Sequence, residues 1–273
     1  MPLVQWETLS SGVTELDALV GGGLQTGTAC LLAGQAGTGK TTVAMLYAYA
    51  AVQRGEPVAI FLFDERLETW HQRAASLGME LHGAIAQGLV TVRQVDIGEV
   101  SPGEFAHLVR ETVEVQKVKA IVIDSLSGYI NAMPEETLLR NQMHELLAYL
   151  GAKNVLALVV VTQRGVFNIN AQGPLDLSYL VDTVLLLRHF EAEGVVRQAI
   201  SVIKKRYGYH EKTIRELRIT AQGVLVGPPL TAFSGILSGV PQYEGGSQAL
   251  LALENQLAHS SSQPDETREY GDA

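Results

Sequence analysis

Gly34-Gln35-Ala36-Gly37-Thr38-Gly39-Lys40-Thr41-Thr42 decides how the rest of the chain reads. An apolar run, Ala29-Cys30-Leu31-Leu32-Ala33, leads into it, and a helix-like segment from Thr42 to Val52 leaves it. Strand, glycine loop and helix in that order spell G-x-x-x-x-G-K-[ST], a loop that binds nucleoside triphosphates. Glycines let consecutive backbone N–H groups turn toward phosphate oxygens with no Cβ in the way. The following helix aims its positive end at the same anion. In this pattern Gly34, Gly37, Thr38, Gly39 and Thr42 belong to the cradle. Lys40 reaches the β- and γ-phosphates, and the Thr41 hydroxyl ligates Mg²⁺. The plainer alternative, a glycine turn before an ordinary helix, does not account for the Lys-Thr pair between these flanks.

Upstream, the stretch from Ser11 to Leu24 opens with a short helix that Ser11 could cap, with Val13, Leu16, Leu19 and Val20 on one face. Gly21-Gly22-Gly23 then turns the chain into the first strand. Downstream, strands are expected at Val58–Phe63, Leu89–Val95, Ala120–Asp124 and Val155–Gln163. Helices are expected from Glu68 to Leu77, from a cap at Ser101 to Gln116, and from Glu135 to Leu150. Alternating strands and helices, with strands apolar on both faces, predict an α/β fold with a mainly parallel sheet and helices on both faces. The pattern changes at Asp182. Asp182–Phe190, Arg197–Arg206, Ile214–Thr220 and Gly223–Val226 read as antiparallel strands extending that sheet. Residues 1–244 are thus read as one domain. Residues 245–273 are read as a polar acidic tail beginning at Gly245-Gly246-Ser247, with a short helix at Ala249–Leu257 and disorder from Ser260.

Hydrophobic residues make up 47% of the 273, enough for a sizeable core. The longest apolar runs are too short to span a bilayer, and no basic leader opens the chain, so a cytoplasmic protein is expected. The single cysteine, Cys30, reads as a small core residue. The seven histidines lack ligand spacing, and no G-x-S-x-G elbow is present. The net charge of −9 is not concentrated in the tail alone, and an acidic body argues against backbone-driven nucleic-acid binding.

Ala120-Ile121-Val122-Ile123-Asp124 has the form of a strand whose terminal Asp holds Mg²⁺ through water near Thr41. Asp64-Glu65 follows the strand after the loop helix, where a carboxylate can activate the water that attacks a γ-phosphate. Either could equally be a turn carboxylate or a helix cap. Gln163, after a strand, can hydrogen-bond a γ-phosphate or the water. Lys204-Lys205-Arg206 is either a solvated basic turn or a cationic finger for the charge of phosphoryl transfer.

Taken together, these stretches resemble the KaiC-like ATPases of the RecA-type P-loop superfamily. The resemblance runs from Ser11-Gly12-Val13-Thr14-Glu15-Leu16-Asp17 through the loop and Asp124. It continues through Asp182–Arg188, Lys204–His210 and Ile219-Thr220 to Gly235–Pro241. It implies a RecA-like fold and a ring, usually a hexamer, with ATP and Mg²⁺ between subunits. Clock members carry two such domains in tandem, whereas this chain holds one. Asp64 and Glu65 match the family's paired catalytic glutamates, the first shortened by a methylene. Ser76 matches a nucleotide-contacting serine. Lys204 and Arg206 match a pair that reaches the neighbour's nucleotide, with Lys205, His210 and Thr220 in the same pocket. An aspartate expected after Thr220 is Ala221 here. The adjacent Ser-Thr pair that clock members phosphorylate corresponds to Ser178 and Tyr179, which argues against a two-site clock cycle and leaves a single-site autokinase at Ser178 as a hypothesis.

The resemblance points to a Mg-ATPase acting as a slow, clock-like switch, partnered by small clock-type adaptors or two-component signalling proteins. Two other readings stand beside it. Lys204-Lys205-Arg206-Tyr207-Gly208 is similar to a RadA signature, K-N-R-F-G, which would make the chain a DNA-dependent ATPase. A nucleotide-binding scaffold with little turnover is the third.

Overall fold

The computed structural model describes residues 6–96, 98–128, 136–162 and 178–243. Gln163 and the expected tail features at 245–273 lie outside the described residues. The chain is built on a nine-stranded sheet in the order β11-β10-β9-β8-β3-β7-β6-β4-β5. Its parallel part comprises β8 (Thr183–Ala192), β3 (Ala29–Gly34), β7 (Leu156–Thr162), β6 (Ala120–Asp124), β4 (Val58–Leu62) and β5 (Val90–Gln94). Antiparallel strands β9 (Val195–Lys205), β10 (Ile214–Thr220) and β11 (Gly223–Pro229) continue from β8. This is the expected α/β RecA-like architecture.

Period-two alternation explains why the central strands are apolar throughout. Cys30 and Leu32, Val58 and Ile60, and Leu156 and Leu158 feed one core; Leu31 and Ala33, Ala59 and Phe61, and Ala157 and Val159 feed the other. Helices α1 (Thr14–Leu19), α2 (Lys40–Gln53), α3 (Leu67–Ser76) and α4 (His82–Ala86) belong to the first face. Helices α5 (Pro102–Gln116) and α6 (Glu136–Ala152) cover the second, with Phe105 edge-on to both Phe61 and Phe63. The capping box starting α5 is formed as read: Ser101 Oγ accepts from the Glu104 N–H, and the Glu104 carboxylate accepts from the Ser101 N–H.

One expectation needs correction, and some short elements were not foreseen. Ser11 does not cap α1, whose N-cap is Val13. The Asp17 carboxylate takes the Ser11 N–H at 2.8 Å, so Ser11 lies two residues ahead and accepts from the Val13 N–H instead. The five-residue α4 was not foreseen, and none of its residues is buried to announce it. Short ladders β1 (Thr8–Leu9) with β2 (Leu24–Gln25), and β12 (Phe233–Ser234) with β13 (Gln242–Tyr243), also add to the expected set. Among the described residues no helix is long and apolar enough to cross a membrane.

Candidate active site

Strands β3, β4, β6 and β7 all end at one edge of the sheet, the place where open α/β sheets take ligands. A cavity of about 620 Å³ opens there. The loop contributes Ala36, Gly37, Gly39, Lys40, Thr41 and Thr42, and the segment after β4 contributes Asp64, Glu65 and Arg66. Thr69 and Arg73 come from α3, Asp124 and Ser125 from the end of β6, Val160 and Thr162 from β7, and Ile219 from β10.

The loop's glycines answer to specific contacts. A Cβ on Gly34 would overlap the Leu187 carbonyl oxygen, and one on Gly39 would meet Ile219 at 2.7 Å. Gly39, at φ 95°, is the left-handed N-cap of α2, and its missing side chain leaves the helix's free N–H groups facing the cavity. Thr38 and Lys40 both donate to the Gln35 carbonyl, at 2.8 and 2.5 Å, which closes the loop on itself. Lys40 is buried, at 5% exposure. Burial lowers its pKa to about 8, against the opposing pull of Asp124. A bound anion would remove that penalty, because it favours the charged form.

Three carboxylates line the cavity with the lysine, and each is held differently. Burial raises the pKa of Asp124, while a hydrogen bond from the Thr41 hydroxyl, Arg73 and Lys40 oppose the rise. Thr41 and Asp124 therefore bring two hard oxygens together beside the loop, a donor set that fits Mg²⁺. Asp64 accepts from Ser125 Oγ at 2.6 Å, and its carboxylate fills the space that a Cβ on Gly128 would need. Glu65 pairs with Arg73 of α3 at 2.7 Å. Burial raises its pKa, Arg73 opposes, and Asp124 adds to the rise. Glu65 and Asp124 both combine a raised pKa with a place on the cavity wall, and because Asp124 is engaged by Thr41, Glu65 is the one placed to act as a general base.

Other expected site residues lie elsewhere. Ser76 is exposed and donates to the Arg73 carbonyl at 2.8 Å, outside the cavity lining. Thr220 closes the β10–β11 turn through Gly223 and Gln222, next to the cavity-lining Ile219. The cationic segment sits at the other end of the sheet. Gly34, at the loop, aligns with Leu187, whereas Cys30 aligns with Thr183, and Thr183 pairs with Lys205. Strand rise puts those two levels roughly 13 Å apart. Lys204 donates to the Ser178 and Val181 carbonyls at 2.6 and 2.8 Å. Arg206 donates to the Tyr179 carbonyl at 2.5 Å, and Lys205 to the Val20 carbonyl. The half-buried His210 belongs to a segment docked on the end of α1, where Glu211 donates to the Leu19 carbonyl. Within one chain, then, these cations do not meet the loop.

Sequence reasoning missed Arg66, Thr69, Arg73, Ser125, Thr162 and Ile219. A signal existed for the first three: spacings of three and four put Arg66, Thr69 and Arg73 on one helical face directly after Asp64-Glu65.

A family model described as "ATPase: KaiC" matches residues 9–231. The chain is similar to the circadian clock protein KaiC3 of Synechocystis sp., 26% identical over 240 residues, which cover 88% of this chain and 47% of that protein. It is 27% identical over 233 residues to the circadian clock oscillator protein KaiC of Thermostichus vulcanus, covering 85% of this chain and 45% of the relative. Against KaiC of Prochlorococcus marinus the identity is 26% over 249 residues, covering 91% and 50%. The chain spans about half the length of these curated relatives. With the matched residues running from the strands ahead of the loop to the last strands of the main sheet, the chain belongs to the KaiC-type ATPase family.

Proposed function

We propose that the chain binds ATP with Mg²⁺ and hydrolyses it, and that copies assemble into a ring, a hexamer on the family pattern, with nucleotide between neighbours. The observation that carries the hydrolysis is the convergence of Lys40, Thr41, Asp124 and Glu65 on one cavity. Lys40 and the α2 N-terminus bind the phosphates. Thr41 and Asp124 would hold Mg²⁺, which when bound offsets the charge of the β- and γ-phosphates. Glu65 takes a proton from the attacking water as the new oxygen–phosphorus bond forms and the bond to the ADP oxygen breaks. Asp64, fixed by Ser125, orients that side of the cavity, and Gln163 contributes a contact to the water or γ-phosphate.

The ring is supported by the distance between the loop and the second set of cations. Lys204 and Arg206 of one copy would serve the nucleotide of the next, where a guanidinium stabilises charge on the equatorial oxygens. Lys205 and His210 accompany them. Ser76 and Thr220 contribute contacts to the remainder of the nucleotide. Hydrolysis in such a ring drives a clock-like conformational switch read by a small adaptor or a two-component signalling protein in the cytoplasm. Ser178, whose carbonyl holds Lys204, would be the hydroxyl that receives a neighbour's γ-phosphate on the family pattern. Phosphopeptide mapping after incubation with Mg-ATP tests that branch: label on Ser178 supports it, and its absence removes the autokinase.

The test of the main reading is phosphate release by the purified chain with Mg²⁺ and with chelator, alongside molar mass by light scattering with and without ATP. Mg²⁺-dependent release and a ring-sized mass support it. Release no greater than that of Lys40→Ala overturns the hydrolysis, and a monomeric mass with ATP overturns the ring.

A further inference from the structure

The cavity holds a guanidinium that the proposed reaction leaves unused. Arg73 stands on the inner face of α3, a helix anchored to the core by Trp70 and Ala74, at 1% and 2% exposure. Its side chain lines the same cavity as Lys40 and Thr41 and bonds Glu65 at 2.7 Å. At 38% exposure Arg73 remains open to solvent, so its pairing with Glu65 is a weak one that a stronger anion can displace. A terminal phosphate is such an anion: it carries more charge than a carboxylate and matches the planar guanidinium fork equally well.

We propose that Arg73 is a same-chain ligand for the third phosphate, and that it exchanges the Glu65 carboxylate for that phosphate when a nucleoside triphosphate fills the cavity. The exchange rests on the proposed nucleotide site and adds a rule to it. With a diphosphate bound, Arg73 stays on Glu65 and the carboxylate is occupied. With a triphosphate bound, Arg73 moves to the phosphate and Glu65 is free to take a proton from water. Availability of the base thus depends on the group to be cleaved.

Calorimetry with Mg²⁺ tests this by comparing a non-hydrolysable ATP analogue with ADP on the full chain, Arg73→Gln, Glu65→Gln and the double variant. Arg73→Gln should lose about tenfold in its preference for the triphosphate, the scale of one hydrogen bond to a charged group, with ADP affinity unchanged. Glu65→Gln removes the competing carboxylate, so it should bind the analogue several-fold more tightly, and this gain should vanish when Arg73→Gln is added. An unchanged preference in Arg73→Gln overturns the proposal, as does an equal gain from Glu65→Gln in both backgrounds. Melting temperatures check folding. Should Arg73→Gln fail to fold, Arg73→Lys keeps the charge without the fork and should show a partial loss; full wild-type preference there overturns the proposal. Nucleotide binding without turnover overturns the hydrolysis reading alone, whereas failure of the unaltered chain to bind either nucleotide overturns both.

Discussion

The Leu187 carbonyl oxygen occupies the place where a side chain on Gly34 would begin. Gly34 ends β3 and opens the phosphate loop, and Leu187 is its partner on β8. The loop is therefore fastened to the strand that carries the antiparallel extension, on which the second set of cations lies. Gly34→Ala must push these two backbones apart. It should cost about 1–3 kcal/mol of stability, the range for forcing extra atoms into a packed site, and weaken nucleotide binding with it. Urea unfolding measures the first; an unchanged midpoint would mean that the strands part freely here.

Lys40 gives the site a pH dependence with a definite sign. Its pKa in the empty cavity is about 8, and bound phosphate raises it. Below pH 8 the lysine already carries its proton, and it adds no pH dependence to binding. Above pH 8 each bound nucleotide must draw a proton into the loop, so affinity should fall as pH rises, approaching tenfold per pH unit. Dissociation constants for ADP at pH 7 and pH 9.5 check this. Equal values would place the Lys40 pKa well above 9.5 in the empty site.

The buried pair Arg197–Glu216 ties β9 to β10 at 2.9 Å, with both side chains at 5% exposure or less. Arg197→Met leaves the carboxylate with the longer pairing to Arg218 at 3.6 Å. It should lower stability by about 3 kcal/mol, because a buried carboxylate loses its shortest ion pair and keeps the longer one to Arg218. The double variant Arg197→Met/Glu216→Leu should recover most of the loss. Urea midpoints decide, and a double variant no more stable than the single would contradict the account.

Much of this architecture was legible because single positions carried it. Ala120–Asp124 and Val58–Leu62 are buried at every residue, and their sequences are apolar throughout except for the terminal Asp124. Ser101 and Glu104 announce α5 because a capping box satisfies backbone donors with side chains fixed by spacing. The loop was legible for the same reason. What escaped was set by distant contacts. Ser125 reaches Asp64 across 61 positions of chain, and Ile219 faces Gly39 from a strand far downstream. Arg73 could be placed on a helix face from the sequence, yet only packing puts that face over the cavity. The separation of Lys204 from the loop follows from strand register across β3, β8 and β9, which no local pattern encodes.

The central claim is that one copy's loop works with another copy's cations. Mixing two inactive variants tests it most directly: Lys40→Ala lacks the loop lysine but keeps Arg206, and Arg206→Ala lacks the finger but keeps the loop. In mixed assemblies, an intact Lys40 site can face an intact Arg206, so turnover should reappear in the mixture above that of either variant alone. Mixed assemblies confirmed by mass, with turnover no higher than the sum of the two separate proteins, would contradict the shared site.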